Sequence, residues 1–376
     1  MGAQGADVHV VTTASAERFI GTETFAALTA NPVHTSLWEQ PGVVVHVELA
    51  RSADLAIVAP ATANIIAKLA AGLADDLLTA TLLEARCPLV IAPAMHTGMW
   101  EHPATRSNIA RLEDRGVRLV GPVSGPLAAG DEGIGRMADP ADIAAAARAA
   151  IGPKDLAGVR LVVTAGPTHE PIDPVRFIGN RSSGRMGVAI AAEAASRGAD
   201  VHMVLGPGTV RPPIGVSIDQ VSTAEEMRTA VLAAFEDADV VVMAAAVADF
   251  RPKVSAEHKL KKEVGIPELH LEPTPDILRE LGERKQDRFL IGFAAETTDL
   301  QDAGRRKLRE KHLDLVVVNR VGREGTGFGS DTNEAMLLTE DGQDEPLRMW
   351  TKAELAAAIC DRLAASETVR RPRSRP

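Results

Sequence analysis

Short apolar runs rich in β-branched residues recur along the chain and end in small residues or turn formers. Helix-like stretches lie between them, for example 62–73, 188–197 and 224–235. Strands that alternate with helices predict parallel sheets covered by helices on both faces. We therefore expect an α/β protein with two Rossmann-like domains, in which ligands bind at the carboxyl ends of the strands. The predicted strands are 8–12, 43–47, 55–59, 89–93, 118–120, 160–164, 201–205, 240–244, 289–293 and 315–318.

The alternation of strands and helices is interrupted near residues 150–157, which divides the chain into two parts. An alanine-rich helix predicted over 142–151 runs into a Gly-Pro turn, and a new strand begins at Arg160. We predict a first domain over 1–150, a second over 157–366 and a basic tail over 367–376. Arginines alternate with prolines in that tail, which is typical of a disordered, solvated segment.

Composition narrows the class of protein. The chain has 376 residues, 45% of them hydrophobic, which suits two globular domains. No apolar run approaches the ~20 residues that cross a bilayer, and a net charge of −10 disfavours nucleic-acid binding. The two cysteines, Cys87 and Cys360, favour neither a disulfide framework nor a cysteine-built metal site. We expect a cytoplasmic protein.

An anion site is indicated ahead of the helix predicted from Val188. Asn180, Ser182, Ser183 and two glycines precede this helix, and free helix-terminal N–H groups with hydroxyls can bind phosphate. The alternative is an ordinary helix cap made by Ser182 or Ser183. This segment alone leaves both interpretations open.

Two later strand ends carry small residues and charges. The run from Met243 to Asp249 suits backbone recognition of a base or sugar, with Asp249 facing a hydroxyl or Mg²⁺. Lys307 and Lys311 stand four apart on a predicted helix, so their amines share a face. Such distributed positive charge suits a triphosphate with its metal. The run 259–262 is by default a solvated face.

Together these segments make residues 157–365 resemble phosphopantothenoylcysteine synthetase, the CTP-using ligase of bacterial coenzyme A synthesis. The segments that carry the resemblance are 166–168, 173–187, 244–252, 259–262, 292–297 and Asn319. In that family the carboxylate of 4′-phosphopantothenate attacks the α-phosphorus of CTP. The amine of cysteine then displaces CMP from the acyl-cytidylate.

The resemblance implies roles for individual residues. Asn180 matches the asparagine that steadies the acyl-cytidylate, and Arg176 matches the arginine that supports it and the second step. Lysines, amide donors and Mg²⁺ would stabilise the negative charge that develops on the phosphorus. The implied CTP contacts are Met243, Ala244, Ala245, Asp249, Lys259, Thr274, Pro275, Asp276, Ile277, Phe293, Lys307 and Lys311.

Three segments of the first half suggest a second site. His46 lies in a predicted apolar strand, where a lone histidine is usually structural but can move protons. A strand end followed by small and amide-bearing residues suits a cofactor phosphate or ring. A loop containing methionine and tryptophan, 93–100, follows another strand end. The residues of the second segment are Pro60, Ala61, Thr62, Ala63 and Asn64.

These segments resemble the flavin-containing cysteine decarboxylases, specifically phosphopantothenoylcysteine decarboxylase, with a flavodoxin-like fold. The resemblance implies that FMN oxidises the cysteinyl thiol to a thioaldehyde, after which CO₂ leaves easily. It makes His46 the catalytic histidine and 60–64 the FMN-proximal motif. It makes Met95, His96 and Met99 substrate-binding residues. Fused to the ligase, this half would convert 4′-phospho-N-pantothenoylcysteine to 4′-phosphopantetheine.

Three departures from the family pattern stand out. His96 replaces the usual asparagine, and Ala129 stands where the family commonly has the cysteine that protonates the enethiol. The chain also begins at what reads as the end of the first helix, so we expect one βα unit of about 30 residues to be missing. Its loss would remove part of the FMN phosphate site, and we expect poor decarboxylation beside an active ligase.

Two other functions fit the same pattern. The first half could be an oligomerisation scaffold without flavin, which leaves a ligase alone. A non-enzymatic NAD(P)-binding regulator is disfavoured, because neither half shows a complete Gly-x-Gly-x-x-Gly turn with a downstream acid. For the enzyme, the expected partners are CTP, 4′-phosphopantothenate and cysteine. The resemblance implies a homo-oligomer, with ligase dimers and flavoprotein trimers.

Overall fold

The computed structural model describes residues 5–39, 42–213, 215–261, 268–322 and 332–370. The chain divides into two units, Met1–Pro153 and Lys154–Pro376. Lys262 of the predicted 259–262 run and the tail arginines at 371, 373 and 375 lie outside the described residues. Within the described ranges, no helix has the length and apolar character required to span a membrane.

The first unit contains short sheets, two parallel and one a hairpin. Strand β1 pairs with β2, the order β3-β4-β5 forms the second sheet, and β6 pairs antiparallel with β7. The strands are β1 Val10–Val11, β2 Val33–His34, β3 Ala56–Ala61, β4 Leu89–Pro93, β5 Arg118–Leu119, β6 Val123–Pro126 and β7 Glu132–Arg136. The helices are α1 Thr22–Thr29, α2 Val45–Ser52, α3 Ala63–Ala71, α4 Leu77–Glu84, α5 Thr97–Glu101, α6 Pro103–Asp114 and α7 Pro140–Ile151.

The strand predicted over 43–47 is wrong, because α2 begins at Val45. Val45 and Ala50 are the buried residues of this helix, although the segment opens with β-branched residues. The predicted loop 93–100 is also partly helical, since α5 begins at Thr97 and buries Trp100.

The second unit is built on one large sheet with helices on both faces. Its strands are β8 Arg160–Ala165, β9 His169–Pro171, β10 Phe177–Gly179, β11 Asp200–Leu205, β12 Ser217–Gln220, β13 Val240–Met243, β14 Phe250–Pro252, β15 Leu271–Pro273, β16 Phe289–Glu296, β17 Leu315–Arg320, β18 Thr332–Thr339 and β19 Glu345–Thr351. Its helices are α8 Arg185–Ser196, α9 Ala224–Phe235, α10 Ile277–Glu283, α11 Leu300–Glu310, α12 Lys352–Ala365 and α13 Glu367–Arg370.

The strand order of the large sheet is β12-β11-β8-β13-β16-β17-β18-β19. The strands from β12 to β17 are parallel, and β18 and β19 add antiparallel strands at one edge. The expected mostly parallel sheet is confirmed. From β8 the chain moves outward to β11 and β12 and then returns to β13 on the other side of β8. The order therefore reverses between β8 and β13, where a ligand crevice forms in sheets of this kind.

Successive side chains of the central strands pack alternately into two hydrophobic cores. Leu161, Val163 and Val242 pack with α8 and α12 on one face, while Val162 and Val241 pack with α9, α10 and α11 on the other. Burial on both faces explains why these strands read as continuous apolar runs.

The ends of the second unit are tied together by one guanidinium group. Arg197, whose side chain is 6% exposed, donates to both carboxylate oxygens of Asp155 at 2.8 and 2.6 Å. It also donates to Asp361 of α12 at 2.6 Å. Residues 367–370, expected in the disordered tail, instead form α13, and Val369 joins the core.

Candidate active sites

Glycines bring the backbone together at the carboxyl end of β8. A side chain at Gly187 would place Cβ 2.7 Å from Thr164 O, and one at Gly184 would place it 3.0 Å from Gly166 N. Gly166 and Gly184 have φ values of +83° and +76°, which suit glycine. The first turn of α8 is thus pressed against the end of β8.

The serine-cap interpretation of this segment is wrong. The N-cap of α8 is Gly184, which has no side-chain cap, and Ser182 Oγ instead accepts from Gly184 N at 3.3 Å. The N-cap residue itself therefore supplies no side chain to the first turn of α8, whose N–H groups point toward the end of β8 where an anion could bind.

The loop that follows β13 is fixed against the same edge. Thr164 Oγ1 accepts from Ala245 N and Thr168 Oγ1 accepts from Ala248 N, both at 3.0 Å. Asn180 Nδ2 donates to Ala246 O and to Val247 O at 3.2 and 3.0 Å. Asn180 therefore spans the crevice between the loop before α8 and the loop after β13. We call the space around this bridge the switch-point cleft.

Further predicted residues reach the switch-point cleft. Thr274 donates through Oγ1 to Ala248 O at 2.5 Å and through N to Asp249 O at 3.0 Å. The Asp249 residue is exposed. Met243 and Ile277 are 7% and 3% exposed and belong to the core, so a ligand can reach only their backbone.

Asp173 connects two other predicted residues. Its carboxylate accepts from the N–H groups of Val175, Arg176 and Leu260 at 2.8, 2.8 and 3.1 Å, and from Arg176 Nε at 3.0 Å. Arg176 Nη2 also donates to Leu260 O at 2.6 Å. Burial by itself would raise the pKa of Asp173, but these donors hold its pKa at about 2. The exposed Lys259 precedes Leu260, so its backbone position depends on Asp173.

The two predicted lysines lie at the end of α11, Lys307 in its last turn and Lys311 as its C-cap. Lys307 Nζ donates to Phe293 O at 2.6 Å, and Lys311 Nζ bonds Asp276 Oδ1 at 2.8 Å. Burial, and then the charge of Lys311, lower the pKa of Lys307. Asp276 also caps α10 through Arg279 N. An anionic ligand here would meet two ammonium groups, one of them poorly solvated.

Asn319 had no assigned role, yet its environment is unusual. It ends the apolar part of β17 and is 8% exposed, and its Oδ1 has no hydrogen-bond partner among the described residues. Its strand neighbours in register are Ala295 and Ala335. An unpaired buried acceptor is costly, so it points to a ligand. An asparagine closing a strand of valines was the signal in the sequence.

A cleft lies next to Asn319 in the chain, beyond the carboxyl ends of β16 and β17. It is bordered by the first residues of α11 and by the segment after β17. Its lining residues are Thr297, Thr298, Asp299, Leu300, Arg320, Val321 and Gly322.

The first unit brings two predicted segments together. Ala61 pairs with Pro93, and Ala94 N donates to Ala61 O at 3.0 Å. Thr62 caps α3 by accepting from Ile65 N, and the Asn64 residue is exposed. We call this surface, residues 59–64 with 93–97, the strand-end shelf. Ala59, Pro60 and Thr62 are also exposed here, and the start of α3 offers N–H and amide donors, so the residues fit a flavin.

A hairpin covers part of this shelf. Met95 N donates to Gly135 O of β7 at 3.0 Å. His96 Nε2 lies 3.0 Å from Asp131 Oδ2 in the turn between β6 and β7. Met99, in α5, is 51% exposed.

His46 stands apart from these contacts. It is the second residue of α2 and half-buried, and the described hydrogen bonds do not join it to the strand-end shelf. Its catalytic role stays a prediction.

Comparison with known protein families assigns both units. The family described as DNA/pantothenate metabolism flavoprotein C-terminal domain matches residues 156–366. The family described as Flavoprotein matches residues 1–152.

Whole-chain relatives share the same order of units. The coenzyme A biosynthesis bifunctional protein CoaBC of Bacillus subtilis is 45% identical over 367 residues, covering 96% of this chain and 90% of that protein. The protein of that name from Mycobacterium tuberculosis is 48% identical over 372 residues, covering 94% and 88%. The crystal structure of the C-terminal domain of a CoaBC protein is 42% identical and covers 56% of this chain and 96% of that chain, with a TM-score of 0.49.

Proposed function

The chain belongs to the family of bifunctional coenzyme A biosynthesis proteins, and from this premise we propose that its second unit joins cysteine to 4′-phosphopantothenate at the expense of CTP. The protein is an enzyme with two activities, a ligase and a decarboxylase. We assign the ligase to the second unit and the decarboxylase to the first. We also propose that the enzyme is cytoplasmic.

The observation that carries the ligase proposal is the Asn180 bridge across the switch-point cleft. It joins an uncapped helix start, suited to a phosphate, to the small-residue loop that would contact the nucleotide. Lys307 Nζ bonds Phe293 O and Lys311 Nζ bonds Asp276, and the charges of both lysines would meet the triphosphate. Asn319 would complete the nucleotide contacts through its unpaired Oδ1 and its amide.

The proposed chemistry has two steps. The carboxylate of 4′-phosphopantothenate attacks the α-phosphorus of CTP and pyrophosphate leaves, which gives an acyl-cytidylate. The amine of cysteine then attacks the acyl carbon and CMP leaves. Arg176, held by Asp173, would support both steps, and Asn180 would steady the intermediate.

Mg²⁺ would enter with the nucleotide. Among the described residues no three histidine, cysteine or carboxylate side chains converge on a common point. Phosphate oxygens would therefore supply most of the ligands, and Asp249 is the carboxylate that we propose for the metal.

The ligase proposal is tested by product analysis. With CTP, 4′-phosphopantothenate, cysteine and Mg²⁺ together, we expect CMP and pyrophosphate in equal amounts. Omission of cysteine should abolish steady turnover. Equal product from ATP, or steady turnover without cysteine, would contradict the assignment.

For the first unit we propose FMN as the cofactor, bound on the strand-end shelf. When bound, FMN would supply the reversible oxidation of the substrate thiol. Thr62 and Asn64 would hold it with the start of α3, while Met95, His96 and Met99 would bind the substrate and His46 would move a proton. Equilibrium titration of the purified protein with FMN, followed by CO₂ release, tests this assignment.

We propose that the protein is a homo-oligomer. Large apolar side chains are strongly exposed in the first unit, including Phe19 at 88%, Trp38 at 87% and Leu28 at 76%. Val175 and Phe250 are 60% and 53% exposed in the second. Such surfaces favour association, and as the family resemblance implies, we propose dimers through the ligase and trimers through the flavoprotein half. Light scattering of the intact protein gives the subunit number.

A further inference from the structure

The decarboxylase reaction consumes one proton, because the carbon that loses CO₂ must gain a hydrogen. The proton has to be delivered at the surface that holds the substrate, which we take to be the strand-end shelf. The inference below therefore rests on the proposed decarboxylase function of the first unit.

The hairpin formed by β6 and β7 is fitted closely against the loop after β4. A side chain at Gly135 would place Cβ 2.0 Å from Met95 O, and one at Gly133 would place it 2.3 Å from Thr97 Oγ1. Gly135 O also accepts from Met95 N at 3.0 Å. The turn of the hairpin is thereby set against His96, and it is closed by Leu127 N donating to Asp131 O at 2.8 Å.

His96 and Asp131 form the polar contact between these two segments. His96 Nε2 lies 3.0 Å from Asp131 Oδ2 and 3.1 Å from Oδ1. A carboxylate on one ring nitrogen orients an imidazole, which leaves the other nitrogen to act on a ligand. Both side chains stay accessible, at 46% and 49% exposure.

Other candidate acids are poorly placed or of the wrong type. The turn carries Ala128 and Ala129, so it has no thiol there. Cys87 precedes the amino end of β4, whereas the strand-end shelf is at the carboxyl end. On residues 93–101 and 123–136, imidazole is the side-chain type that can hold and release a proton near neutral pH.

We propose that His96, oriented by Asp131, donates the proton that completes decarboxylation. Loss of CO₂ from the thioaldehyde moves the electron pair of the broken C–C bond onto sulfur and leaves an enethiolate, in which the former α-carbon is double-bonded to the sulfur-bearing carbon. The double-bond electron pair takes the imidazolium proton to form the new C–H bond at the α-carbon. The sulfur-bearing carbon of the resulting thioaldehyde would then take up, as a hydride, the two electrons that the proposed flavin had removed in the first oxidation, and His96 regains its proton from water.

The test compares substitutions at two positions in the flavin-loaded full chain. His96→Asn keeps a donor for the substrate carboxylate but cannot supply the proton. We expect turnover to fall by about 10²-fold or more, since general acids contribute this much, with a much smaller change in KM. Mass spectrometry should show a product lighter by two hydrogens, the enethiol. Asp131→Asn should give a weaker version of the same result.

Residue 129 provides the rescue. It is two residues from Asp131 in the same turn, so its Cα lies within about 7 Å of that of Asp131. A thiol there is a new acid beside the same substrate, and Ala129→Cys added to His96→Asn should restore saturated product. His102→Asn is the matched control, because this nearby histidine only caps α6 and asparagine can replace it.

The outcomes distinguish the assignment of His96 as proton donor from the decarboxylase proposal itself. CO₂ release and saturated product at equal rates from wild type and His96→Asn would overturn the assignment of the proton donor alone. A defect confined to KM, with no enethiol, would do the same and make His96 a binding residue. A wild-type protein that binds FMN but releases no CO₂ would overturn the decarboxylase proposal and this assignment together.

Discussion

Replacement of Asn319 by valine should stabilise the free protein and impair the use of CTP. Asn319 is 8% exposed, and its Oδ1 is buried without a partner among the described residues. An acceptor desolvated in this way costs about 1–3 kcal/mol. Valine removes the acceptor and suits a central strand, at some cost in added volume.

The expected gain in the free energy of unfolding is about 1 kcal/mol, the low end of that range. For a domain of this size, 1 kcal/mol corresponds to about 2–4 °C in the unfolding temperature. If the side chain bonds the nucleotide, its loss should weaken CTP by roughly tenfold, equivalent to about 1.4 kcal/mol. The same substitution therefore changes stability and binding in opposite directions.

Thermal unfolding of the full chain with and without CTP measures both effects, and ligase kinetics give the KM for CTP. Asn333→Val is the matched control, because Asn333 is 4% exposed in the adjacent strand but its Oδ1 accepts from Lys352 Nζ at 2.5 Å. We expect that variant to unfold at a lower temperature. An Asn319→Val protein that unfolds earlier without CTP, and keeps the full CTP-induced shift, would refute the argument.

Four further results are expected of the ligase unit. Burial lowers the pKa of Lys307, so its positive charge is lost as pH rises through that lowered pKa. The value of kcat/KM for CTP should fall over the same pH range, and Lys307→Arg should abolish this pH dependence. Lys259→Ala should raise the KM for CTP by about 10- to 150-fold, equivalent to 1.5–3 kcal/mol, and Lys261→Ala, two residues on, should not. Asp173→Asn should lower ligase kcat by about 10²-fold, because the amide cannot accept every donor now bound and small misplacements are that costly; unchanged kcat would contradict a role for Asp173 in positioning Arg176. Gly187→Ala would bring Cβ within 2.6 Å of Ala165 Cβ, and differential scanning calorimetry should show a loss of about 1–3 kcal/mol.

The central strands were predictable because they are buried on both faces. Strands β8, β13 and β17 consist almost wholly of buried residues, and each was found from its apolar run. Strand β12 was missed because all four of its residues are exposed, so no apolar pattern marks it. The prediction at 43–47 failed because it rested on a local run of valines, whereas the structure forms a helix from Val45.

The residues of the switch-point cleft were predictable individually, but the contacts between them were not. Residue types at strand ends located Asn180 and Lys307, since parallel strands bring such ends to one edge. The sequence did not show that Asp173 bonds Leu260, 87 residues away. Pairings of that kind depend on the tertiary fold rather than on local spacing. The same limit applies to the unpaired Oδ1 of Asn319, which only the packed structure reveals.

The clamp that Arg197 makes between Asp155 and Asp361 bears on how two enzymes can share one polypeptide. It places the first residues of the ligase unit beside its last long helix, so the unit begins and ends at one location. A folded body whose termini are neighbours can be joined to another sequence at that location without its interior being rearranged. A gene for a flavoprotein could therefore have been placed ahead of a pre-existing ligase gene with little change to either product. By the same reasoning, a circularly permuted ligase unit, opened in a surface loop and closed between 366 and 155, should still fold.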